Sequence, residues 1–64
     1  MIVKGIVSAI DTEAKTIDVI LPEYNDIVAS EVKVYREDII SSLQINDLVL
    51  VVVFNNDFSD CLVL

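Results

Sequence analysis

Carboxylates are the most abundant chemistry-bearing groups in this chain, which sets eleven Asp and Glu against four Lys and Arg. They occur in pairs at Asp11 and Glu13, Glu37 and Asp38, and Asp57 and Asp60. Paired carboxylates do general acid and base work when one of them is desolvated enough to separate the two pKa values. All three pairs fall in turn-forming stretches or at a helix start, where Asp and Glu serve local hydrogen bonds and the helix dipole. Solvated carboxylates are therefore expected. Oxygen ligands for a cation gather at Asn55, Asn56, Asp57 and Asp60, but the segment lacks the alternating ligands, central Gly and distal Glu of an EF-hand loop. Cys61 is the sole cysteine and there is no histidine, which removes an internal disulfide and the usual Cys/His zinc site. With no Lys or His near it in an apolar run, Cys61 reads as a buried structural thiol. Ser8, Ser30, Ser41, Ser42 and Ser59 have no histidine base, and one glycine cannot build a phosphate loop. No catalytic residue, cofactor, metal or small-molecule substrate is expected, and the chain reads as a non-enzyme.

The balance of the composition bounds what remains. Sixty-four residues make one domain, residues 1–64, near the lower limit for folding without a metal, disulfide or partner. A net charge of −7 would suit disorder, but 55% hydrophobic residues do not. The acidic excess opposes nucleic-acid binding, which needs cations to displace counterions from phosphates, and Lys4, Lys15, Lys33 and Arg36 are scattered. Tyr24, Tyr35, Phe54 and Phe58 read as core or rim packing rather than base-stacking platforms, since two of them lie in loop-like stretches beside acids. The longest apolar run, residues 48–54, is about a third of the ~20 residues a membrane helix needs, so no membrane partner is expected. The amino terminus shows no basic leader with an apolar region after it, which makes the cytoplasm the default compartment.

The elements that must position these groups follow from hydrophobic period. Val3, Gly5, Val7 and Ala9 alternate with Lys4 and Ser8 in a first strand whose odd face points inward. A turn over residues 11–15 leads to a second strand with Ile17, Val19 and Leu21 inward, which Pro22 ends. A third strand over residues 27–35 alternates at Val32 and Val34, and Ile39, Ile40 and Leu43 mark a short connector helix within residues 36–43. The run from Leu48 to Phe54 is apolar on both parities and reads as a strand covered on both faces. A reverse turn over residues 55–60 precedes a returning strand, residues 61–64. The fold class is thus all-β with one short helix, and the element order is that of a small five-stranded OB-like closed barrel, with an SH3-like barrel as runner-up. Gly5 admits two readings: a point of strand bending, or a close-packed neighbour that leaves no room for a side chain.

Counting faces leaves a surplus. Ile2, Ile6, Ile10 and Ile20 lie on the outward parity of the first two strands, Leu48 to Phe54 is apolar on both parities, and the connector helix can cover only part of this apolar excess. These four are the candidate interface, for a second copy of the chain or a protein partner.

The last third of the chain carries a resemblance. Ile45-Asn46-Asp47-Leu48-Val49-Leu50-Val51, then Phe54-Asn55-Asn56-Asp57 and Leu62-Val63-Leu64, resemble the ending of the OB-fold domain in tailed-phage baseplate and tail-spike proteins, the baseplate assembly protein V group. Gly5-Ile6-Val7 and Ile17-Asp18-Val19 are similar to that family's first two strands, and Asn46 stands where the family usually has Gly, as the next best residue for a positive φ. The resemblance implies a structural module of a phage or prophage tail, associated with the virion and often trimeric. It implies action through protein contacts without a catalytic centre. The alternative is a nucleic-acid-binding OB domain, which the charge disfavours.

Overall fold

β-Branched residues dominate the strands, and their stiff side chains pack well on a pleated surface. In the computed structural model, which describes residues 1–64, they form β1 (Ile2–Asp11), β2 (Thr16–Leu21), β3 (Ile27–Val34), β4 (Leu48–Phe54) and β5 (Asp57–Val63). The strands close into a barrel in the order β1-β2-β3-β5-β4, with every pair antiparallel except β3 and β5. This is the OB-like barrel expected. Its interior is a cluster of 12 buried apolar side chains, eight of them valine, and no polar or charged side chain is buried. Val3, Val7, Ile17, Val19, Val32 and Val34 are all inside, as their parity requires.

Three local features depart from the sequence reading. The register between β1 and β2 shifts between Val7 and Ala9, so Ser8 is an extra residue and the parity of β1 reverses beyond it. Ala9 is consequently exposed, while Ile10 pairs with the buried Ile17 and packs on the core. The second departure is at the β4–β5 connection. Its turn is two residues long rather than six: Asn55 and Asn56 have φ of 54° and 55°, the pair of left-handed residues that a type I′ hairpin demands. β5 therefore starts at Asp57. Its first half is irregular, because Phe54 pairs with Asp57 and Val53 with Cys61, and the intervening residues bulge so that Phe58 turns against the core and meets Tyr24 in a tilted contact, ring centroids 5.0 Å apart.

Third, the connector is a 3₁₀ helix, Glu37–Ser42, and a second one, Pro22–Tyr24, opens with the proline at its first turn. Ile40 is buried and Ile39 and Leu43 pack beside it, so this helix closes the interior instead of covering the outside. Gly5 lies in a regular stretch of the β1–β4 ladder. A Cβ there would sit 2.9 Å from Val51 Cγ2, so the second reading of this glycine holds: its missing side chain lets β1 close onto β4.

Candidate protein interface

The residues that could do chemistry are engaged locally. Asp11 Oδ1 accepts the N–H groups of Glu13 and Ala14, both at 3.0 Å, and so holds the β1–β2 turn. Asp38 meets Arg36 at 3.4 Å in the only ion pair, on the exposed start of the 3₁₀ helix. Asp57 Oδ1 accepts the Ser59 hydroxyl at 2.6 Å and its N–H at 2.9 Å; these bonds favour the ionised form and lower its pKa. Ser8 and Ser42 hydroxyls donate to backbone carbonyls of Asp18 and Ile39. Cys61 donates its thiol to the Phe58 carbonyl at 3.2 Å, and partial burial, then the charges of Asp57 and Asp60, raise its pKa. A thiol held protonated is a poor nucleophile.

Around the outside of the barrel the cross-strand register builds something larger. Residues paired across antiparallel strands point to the same side. Ile6 lies opposite both Ile20 and Leu48, and Ile20 opposite Val28, giving a row Val28, Ile20, Ile6, Leu48 across four strands. A second row joins Ile2, Val52 and Leu62 over β1, β4 and β5. Between them Lys4 pairs with Leu50, whose carbonyl accepts the N–H of Leu64. Ile2 is 62% exposed, Leu48 67%, Leu50 50% and Val28 53%, while Ile6, Ile20, Val52 and Leu62 are half-buried against one another. Lys4 is the one charge within this grid and has no ion-pair partner.

Three of the four predicted interface residues, Ile2, Ile6 and Ile20, lie on this face. Ile10 does not, because the extra residue at Ser8 turns it inward to the core. β4 is also corrected: it is covered on one face only, and its outer residues Leu48 and Leu50, part of the counted apolar surplus but not among the four candidates, are exposed on this face. The signal for them was present in the run itself, since a strand apolar on both parities must show one parity to the outside unless a second layer covers it.

The cations do not form one stripe. Lys4 is on β1 beside β4, Lys15 and Lys33 lie at the other end of the sheet, where Thr16 next to Lys15 pairs with Lys33, and Arg36 is engaged with Asp38. The outer surface of β2 and β3 carries Asp18 and Glu31 and no aromatic ring. No protein-family model matches this chain, and neither does any curated protein or solved structure.

Proposed function

We propose that this chain is a non-enzymatic assembly module that works through protein contacts, of the kind found in phage or prophage tail baseplates and spikes. The observation that carries the reading is the apolar grid on the outside of β1, β4 and β5, built from Ile2, Ile6, Leu48, Leu50, Val52 and Leu62. Exposed apolar patches of several hundred Å² are uncommon on monomers and mark interaction surfaces. A twisted sheet face of this kind is suited to pack on a second sheet face, as the two layers of a sandwich do. The occupant we assign is another copy of the chain in a closed oligomer, with the trimer favoured by the sequence resemblance. Such an oligomer would serve in the host cytoplasm during assembly and then in the virion.

Sedimentation equilibrium on the wild-type chain and on Leu48→Lys with Leu50→Lys tests this. Wild type should exceed the 7.1 kDa of one chain at micromolar concentration, and the double variant should sediment as a folded monomer. A wild type that is an ideal monomer throughout overturns the self-association. The nucleic-acid reading rests on the OB-like barrel alone; retention on single-stranded oligonucleotide at low salt would revive it.

A further inference from the structure

β3 and β5 are joined at only two residue pairs, Lys33 with Leu62 and Val34 with Val63, both at one end. β3 pairs with β2 on one side, with a register shift that leaves Ser30 and Glu31 bulged opposite Asp18, but its other edge is free over residues 27–30. The two strands diverge there around a groove of ≈ 530 Å³ lined by Val28, Ala29, Ser30, Glu31, Phe58 and Ser59. Ile27 and Val28 are 42% and 53% exposed along that edge. We propose that the free edge of β3 takes up an extended basic segment of a partner protein as an added strand.

Backbone geometry and charge each select the occupant. A strand edge offers rows of N–H and C=O groups that only another extended backbone satisfies together. Four residues of strand span about 13 Å, enough for a short addition that ends where Glu31 leaves the extended region at φ 54°. Glu31 is the charged residue that lines the groove, Asp18 holds its N–H, and Asp26, Asp57 and Asp60 flank the lining segments in sequence against the single cation Lys33, so the surrounding charge is predominantly acidic. These carboxylates favour Lys and Arg on the incoming strand. They also count against a second copy. The antiparallel register that pairs residues 27–30 with themselves sets Asp26 of each chain opposite Glu31 of the other, and like charges directly opposite are destabilising. This edge meets the outer grid only at Val28, the end of one row, and uses backbone groups rather than the grid's side chains, so the proposal does not depend on self-association.

The test uses an acetylated, amidated octapeptide alternating lysine and valine, titrated into the isotope-labelled full chain. Amide exchange within residues 27–30 should slow at least tenfold, and the effect should weaken as salt is raised. The same peptide N-methylated at alternate residues, and one alternating glutamate and valine, should bind more than tenfold more weakly. Glu31→Asn keeps a residue that tolerates positive φ while removing the charge, and should bind the lysine peptide several-fold more weakly. Equal binding by the N-methylated or glutamate peptide overturns the proposal, as does protection confined to the outer grid around Leu48 and Leu50. Slowed exchange at residues 27–30 that grows with protein concentration and needs no peptide would assign the edge to a second copy instead.

Discussion

Gly5 shows how a single missing carbon sets the spacing of two strands. An alanine Cβ would press on a methyl of Val51, whose branched side chain has little rotamer freedom to move away. Gly5→Ala should therefore destabilise the fold by roughly 1–3 kcal/mol, measured by urea unfolding, despite alanine's better intrinsic propensity. Asp18 has a different role. Its carboxylate accepts the Glu31 N–H at 2.9 Å and so supports a non-glycine residue in the left-handed region. Asp18→Asn keeps an acceptor oxygen and should be tolerated, Asp18→Ala should cost about 1 kcal/mol, and Val19→Asp should unfold the domain. Equal tolerance at 18 and 19 would overturn the inward assignment of Val19. Titration adds a further expectation. Asp57 has a lowered pKa in the folded chain, so its stabilising effect is complete above the unfolded carboxylate pKa and is lost as pH falls through the folded one. The Cys61 thiol is raised, so the folded chain keeps a proton that the unfolded chain has begun to lose at mildly alkaline pH. Thiol alkylation there should be slow when folded and accelerate in urea; equal rates would remove the argument.

Strands were legible in the sequence wherever period two was unbroken, and not where the chain inserts an extra residue. Val32 and Val34, Ile17 and Val19, and Val3 and Val7 keep strict alternation, and each lies inside. Ala9 and Ile10 were misassigned because nothing in their types marks Ser8 as a bulge; the shift appears only when β1 is set against β2. At the hairpin the difficulty was an excess of signals. Residues 55–60 are all turn formers or aromatics, yet two left-handed asparagines complete the reversal and the rest belong to β5. Asn56→Gly should raise the melting temperature, since glycine adopts positive φ without strain. Truncation after Asp60 should be far more damaging than loss of a frayed end, because Val63 is fully buried and pairs with both Val51 and Val34. A soluble, folded chain ending at Asp60 would contradict this. The outer grid was only partly readable: parity gives Ile2, Ile6 and Ile20, whereas their alignment with Leu48, Leu50 and Val28 is a property of register between strands distant in sequence.

Taken whole, the molecule sets a hydrophobic grid against a net charge of −7. In the proposed self-association two copies would repel each other through most of their surface and attract through one face, and salt would separate the two effects. Screening shortens the repulsion to a Debye length of about 8 Å at physiological ionic strength and leaves apolar burial intact. Self-association should therefore strengthen as salt rises from about 20 mM to about 500 mM, opposite in sign to a phosphate-binding protein. An association that weakens with salt would point to ion pairs, with Lys4 the first residue to substitute. The parallel seam between β3 and β5 has a consequence for refolding. Its pairs, Lys33 with Leu62 and Val34 with Val63, join residues 29 apart in sequence, and Val63 also pairs with Val51 of β4. A chain diluted from denaturant can form the β1–β2–β3 meander early, because its pairings are local, but the margins of that sheet stay open until β4 and β5 dock. During that interval each chain is exposed to pairing with its neighbours, and a higher protein concentration raises the loss to aggregates.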